Sequence, residues 1–302
     1  ALQSAYLKQY YDVYDLLVQE GVSLKMKKFP DIIGSYQVAL ETVKKAVKHL
    51  KDTDNWDPKC EYASDALQSA YLKQRYDVYD LLVQEGVSLT MKNFPDIVGS
   101  YQVSLVAVKK VVKHLKDTEN WDTKCDDASK ALQSAYLKQN YDVCDLLVQE
   151  RVSLKLKHLP GIVYSYQVSL ETVKKAVHHL KDTDSWDPKC DDASEALQSA
   201  YMKRKYDVCD LLVLEGISLT MKNFPYIVDC YLVSEDVKKV VEHLKDTDNW
   251  DPKCDDASKA LQSAYLKQYY DVYDLLVQEG ISLTMKNFPY IVDCYLVSED
   301  VK

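Results

Sequence analysis

The chain has 302 residues, a net charge of −9, 47% hydrophobic and 28% charged residues, and only seven glycines. This balance excludes collagen-like and disordered low-complexity classes and suits a folded, helix-rich chain. The lysines are interleaved with acids and form no clustered basic face of the kind that phosphate neutralisation needs, so nucleic acid is not the expected partner.

No apolar run reaches about 20 residues, so no membrane span is expected. The first residues also lack the basic, apolar and small-residue order of a signal peptide. The string ALQSAY begins at Ala1, Ala66, Ala131, Ala196 and Ala260, spaced by 65, 65, 65 and 64 residues. The expected organisation is a single repeat array over 1–302, with units 1–65, 66–130, 131–195 and 196–259 and a truncated unit 260–302. Units one and two differ at only 13 of 65 positions, so the copies are near duplicates. A fixed period of this length marks an architecture that grows by stacking and escapes the usual domain count. The sequence opens without Met and stops at Val301-Lys302, inside a segment that earlier copies use as a helix. Both ends therefore read as cuts through a longer array.

Within unit two, Ser64 precedes Ala66, Leu67, Ala70 and Tyr71, and is the expected N-cap of a first helix, A. Helix B carries Val78, Leu81 and Leu82 at i, i+3 and i+4 and closes at Gly86, where a left-handed cap is easily adopted. Unit three has Arg151 at that place, which predicts a local cost of about 1 kcal/mol. Pro95 fits the first turn of a short helix C, since proline lacks only an N–H that is unpaired there. Helix D is clearest in unit three, where Ser169 is the expected cap and Val173, Ala176, Val177 and Leu180 form the apolar face. Lys174, Lys175 and Lys181 face outward, the last near the C-terminal end. No stretch alternates with period two, so the fold class is all-α: an elongated α-solenoid of stacked antiparallel helix-turn-helix repeats.

The A and B half resembles an ankyrin repeat. Leu132, Ala135, Val143, Leu146, Leu147 and the glycine seen at Gly86 match that pattern in type and spacing, and 65 residues is close to two ankyrin repeats. The resemblance implies a protein-binding solenoid with a concave face. It departs in lacking the T-P-L-H turn, replaced by Ala131, Leu132 and Gln133, and in placing Gln139 where a glycine usually separates the helices. The C and D half matches only through Pro95 and the valines of helix D, and the linker from Gly86 to Pro95 is too short for the family's long hairpin finger.

The segment DTDNWDPKC joining one unit to the next is the place to look for chemistry. Asp52, Asp54 and Asp57 depart from calcium-loop spacing and are expected to cap helices and turns, with no metal bound. Trp56, Trp121, Trp186 and Trp250 recur once per joint and are the candidate residues for partner binding or for an inter-repeat wedge. Cys60, Cys125, Cys190 and Cys254 follow four residues later and are expected to be small buried hydrophobes with free thiols. Cys144, Cys209, Cys230 and Cys294 occupy places where other copies have Tyr or Ser, which obliges no disulfide. His49, His114, His179 and His243 recur near the end of helix D, where a cation is favoured by the helix carbonyls. Tyr6, Tyr11, Tyr36 and their equivalents are expected to pack the ring inward and wet the hydroxyl.

No nucleophile–histidine pairing, zinc spacing or glycine-rich phosphate loop occurs, so neither enzyme activity nor a cofactor is expected. Variation between copies is confined to scattered sites such as Tyr10, Arg75, Asn140, Lys205 and Tyr269, so the array presents one face repeatedly. The expected function is a protein–protein interaction scaffold for a repetitive partner. The alternative is a structural protein whose copies assemble into a filament. The partner is then a second protein or the chain itself. Free thiols fit the cytoplasm, whereas a filament is compatible with an extracellular place.

Overall fold

The computed structural model describes residues 2–35, 38–100, 104–230, 233–284 and 286. These form eighteen α-helices and no strand among the described residues. Unit one contributes α1 (Leu2–Lys8), α2 (Tyr11–Gln19), α3 (Phe29–Ile33) and α4 (Leu40–Asp52). Unit two repeats them as α5 (Glu61–Leu72), α6 (Tyr76–Gln84), α7 (Phe94–Gly99) and α8 (Leu105–Asp117). Unit three gives α9 (Asp126–Leu137), α10 (Tyr141–Gln149), α11 (Leu159–Tyr164) and α12 (Leu170–Asp182). Unit four gives α13 (Asp191–Met202), α14 (Tyr206–Leu214), α15 (Phe224–Asp229) and α16 (Ser234–Asp246), and unit five begins with α17 (Asp255–Leu266) and α18 (Tyr270–Gln278).

The chain divides into two compact bodies, Ala1–Ser153 and Leu154–Lys302, with the division falling between the two hairpins of unit three. Packing follows the same rule inside each. Helix C of one unit lies on helix A of the next, as α3 on α5 and α7 on α9 in the first body and α11 on α13 and α15 on α17 in the second. Helix D likewise meets the next helix B, as α4 on α6, α8 on α10, α12 on α14 and α16 on α18. The amphipathic stripes explain this arrangement. Val108, Val111, Val112 and Leu115 of α8 are buried, as are Val143 and Leu147 of α10, so each stripe covers its neighbour.

Helix ends differ from the sequence expectation in one respect. Ser64 is not an N-cap but lies inside α5, buried, with its hydroxyl donating to Asn93 Oδ1. The cap is Cys60, whose extended backbone precedes the helix. In two later copies the thiol performs the capping: Cys125 Sγ accepts from the Ala128 amide and Cys254 Sγ from the Ala257 amide, each at 3.3 Å, whereas Cys190 makes no such bond. The recurrent cysteines are thus half-buried caps, not fully buried hydrophobes. Ser169 does cap α12, accepting from the Thr172 amide at 3.3 Å, and Pro95 lies in the first turn of α7.

The chain reverses direction through left-handed residues. Gly86 has φ +84° and Arg151 adopts the same corner at +63°. Gln139, at the place where ankyrin repeats carry glycine, is also left-handed at +53°, as are Gln9, Gln74, Arg204 and Gln268. Arg151→Gly is expected to raise stability by about 0.5 to 1 kcal/mol, measured by urea denaturation, because it removes a Cβ from a left-handed site. Leu82→Ala or Leu147→Ala, at fully buried positions, is expected to cost about 2 to 5 kcal/mol in the same measurement.

Candidate binding surface at the repeat joints

Each joint is ordered by its own short side chains. The hydroxyl of Thr53 donates back to the His49 carbonyl at 2.8 Å, and Asp54 turns the chain at φ +51°. Asp57 Oδ1 accepts from the Lys59 amide at 2.9 Å, and Asp122, Asp187 and Asp251 repeat that bond with Lys124, Lys189 and Lys253. The joint acids therefore hold turns together. Among the described residues, no group of three or more His, Cys, Asp or Glu is placed to hold a metal ion.

The tryptophans are half-buried in all four joints. Trp56 meets Phe29 edge-on with ring centroids 5.7 Å apart, Trp121 meets Phe94 at 5.5 Å, and Trp250 meets Phe224 at 5.6 Å. Each of these phenylalanines opens helix C of the same unit and is fully buried. In unit three Leu159 stands in the phenylalanine position, and Lys181 Nζ lies 5.8 Å from the Trp186 ring. Each indole is thus half-buried, edge-on to a phenylalanine in three joints and under a lysine ammonium at Trp186 and Trp250.

The histidines occupy the opposite chemical state from the one expected. His49, His114, His179 and His243 each accept, at Nε2, a hydrogen bond from a backbone amide in the B–C linker: Leu24, Leu89, Leu154 and Leu219, at 3.1 to 3.2 Å. An accepting nitrogen is an unprotonated one, so these side chains are neutral clamps and not cations on the helix end. Burial lowers the pKa of His49, His114 and His243 from the ordinary value of 6.5, opposed by Asp52, Asp117 and Asp246 respectively. Aromatic edges enclose the same rings, Tyr14 beside His49, Tyr79 beside His114 and Tyr201 beside His243.

The hydroxyls of Tyr11, Tyr71 and Tyr206 find protein partners instead of water, and that of Tyr6 is buried. Tyr11 Oη lies 2.5 Å from Thr42 Oγ1, Tyr71 Oη donates to the Ala107 carbonyl, and Tyr206 Oη donates to Asp236. Tyr36 and Cys294 lie outside the described residues.

Two contacts went unseen in the sequence. Arg75, read there as a scattered surface difference, donates to the carbonyls of Ile33, at the end of helix C of the preceding unit, and of Ser35 and Val38 beyond it. Lys205 does the same for Val163, Ser165 and Val168, whereas Asn140 caps its own helix by accepting from the Val143 amide at 3.4 Å. The second contact is an ion pair from helix D to the end of the next helix B: Lys51–Glu85, Lys116–Glu150, Lys181–Glu215 and Lys245–Glu279. Identical spacing of 34 residues was the available signal, and it shows only once helix D is known to lie on helix B.

Compared with models of known protein families the chain matches none, and a search of curated proteins finds no match. No helix among the described residues is long and apolar enough to cross a membrane.

Stability should be full above about pH 6.5 and fall as pH drops below it. The unfolded chain takes up histidine protons there, while the folded clamps resist them. His114→Gln should flatten that dependence in denaturation measured from pH 7.5 to 5. Trp121→Ala should lose about 0.5 to 1.5 kcal/mol more than Trp186→Ala in thermal melts, the increment of an aromatic pair. Equal losses would mean that the Phe94 contact adds nothing.

Proposed function

We propose that the hairpins stack as an ankyrin-like α-solenoid and that the chain is a non-enzymatic protein–protein interaction scaffold. The observation that carries this reading is the half-buried tryptophan repeated at four joints, three of them held edge-on by a buried phenylalanine. A half-buried tryptophan held in place is a common anchor in binding surfaces. Four copies at a fixed interval suit a partner that is itself repetitive, because linked sites gain avidity without new contacts.

A second reading, a structural protein that assembles into a filament, draws support from the near identity of the copies, which differ at only 13 of 65 positions between the first two units. Identical interfaces favour open-ended association wherever contact between copies is head to tail. Negative-stain microscopy of the purified chain separates the two. Monodisperse particles are expected, and fibres of regular width would replace the scaffold by the filament.

A further inference from the structure

The groove between helix A and the turn that opens helix C differs between units two and four. In unit two its own carboxylates close it. Asn93 Nδ2 donates to Asp65 Oδ1 at 3.2 Å and to Gln68 Oε1 at 2.9 Å, and Gln68 Nε2 donates to Asp96 Oδ2 at 3.1 Å. Unit four, inside the second body, keeps the amides as Asn223 and Gln198 but carries Glu195 for Asp65 and Tyr226 for Asp96. Asn223 Nδ2 still donates to Gln198 Oε1 at 2.9 Å, and Asn223 Oδ1 accepts from the Thr220 amide at 2.9 Å, which fixes the orientation of the amide group. Its second N–H is left without an acceptor among the described residues, although Asn223 is only 4% exposed. Gln198 Nε2, with no carboxylate at 226, reaches the Met202 thioether at 3.5 Å, a weak acceptor. Glu195 has no ion pair among the described residues.

These four side chains line a cavity of about 190 Å³, with the Lys222–Asp191 pair, 3.6 Å apart, also in its lining and Tyr226 63% exposed. We propose that the cavity binds a sugar ring. Asn223 and Gln198 call for hydrogen-bond acceptors, and Glu195 calls for a donor. A hydroxyl is both, so a ring carrying adjacent hydroxyls answers the two demands at once. Its C–H face suits the phenol ring of Tyr226, which is apolar in body and polar at the tip. A guanidinium or ammonium brings no acceptor and leaves the buried Asn223 N–H unpaired, which is costly. An anionic ligand meets Glu195 and Asp191 with like charge. Size agrees as well, since the cavity lies below the roughly 300 to 1,000 Å³ of drug-sized sites and suits a single ring. The site uses none of the joint tryptophans, so it stands or falls independently of the scaffold reading.

The test titrates the full chain by calorimetry with the methyl glycosides of glucose, galactose and mannose. Saturable binding of at least one is expected. Glu195→Gln should weaken it by roughly tenfold, as for loss of a charge-assisted hydrogen bond. Tyr226→Asp should abolish it, because it installs the residue of unit two and lets Gln198 close on a carboxylate as Gln68 closes on Asp96. Both positions are exposed, so the variants should fold, and circular dichroism checks this. Disaccharides ending in the same sugars separate the two sources of such a ring. Tighter binding than the methyl glycoside gives the site to the end of a glycan chain, and equal or weaker binding gives it to a free sugar. Absence of saturable binding, binding indifferent to both substitutions, or tighter binding of methylguanidinium than of any glycoside would overturn the proposal.

Discussion

The repeat depends on pairing the backbone of a linker that its own side chains bury. Leu89 is fully buried between helices B and C, which takes its amide and carbonyl out of water with it. His114 accepts from the amide at 3.1 Å and Asn120 donates to the carbonyl at 3.0 Å, so one peptide segment is held by the end of helix D and by the joint. Leu219 is held the same way by His243 and Asn249. An unpaired buried backbone group costs on the order of 1 to 3 kcal/mol, so this pairing decides where helix D sits relative to helix B. Once helix D is placed, its outer end reaches the next helix B, and Lys116 meets Glu150. Surface pairs of this kind contribute at most about 1 kcal/mol. They help to fix register more than stability.

Much of the architecture was legible because it rests on periodicity. The 65-residue spacing, the i, i+3, i+4 stripe of Val78, Leu81 and Leu82, and the glycine at Gly86 report backbone and burial directly. What was not legible depended on partners distant in sequence. Ser64 looked like a cap because a serine before an apolar run usually is one. Its hydroxyl instead reaches Asn93, and the helix begins earlier, at Glu61. Cysteine is a poor capping residue by propensity, so the cap at Cys125 has no strong local signature. Only its position beside the Asp122 turn and the Ala128 amide makes the thiol both donor and acceptor.

Histidine shows the same limit more sharply. A histidine in the last turn of a helix is consistent with a cation favoured by the dipole and with a neutral acceptor, and sequence cannot choose between them. Desolvation decides: at His114, burial disfavours the charged form more than Asp117 favours it. The candidate tryptophans were found because they recur, whereas their geometry followed from Phe29, Phe94 and Phe224, which sequence distance hid.

Variation between copies takes on a different meaning in this setting. Position 75 and its equivalents carry Arg, Asn, Lys and Tyr, as a solvent-exposed place does. Yet Arg75 and Lys205 bind three carbonyls each of the preceding unit, while Asn140 turns to its own helix. A cation there crosslinks two units, whereas Asn140 caps its own helix. Units two and four are therefore tied backward by a charge-assisted contact that unit three lacks at the same position. Charge-assisted bonds are roughly twice as strong as neutral ones, so near-identical copies need not have equal interfaces. A difference between repeats at this one position therefore changes how adjacent units are joined.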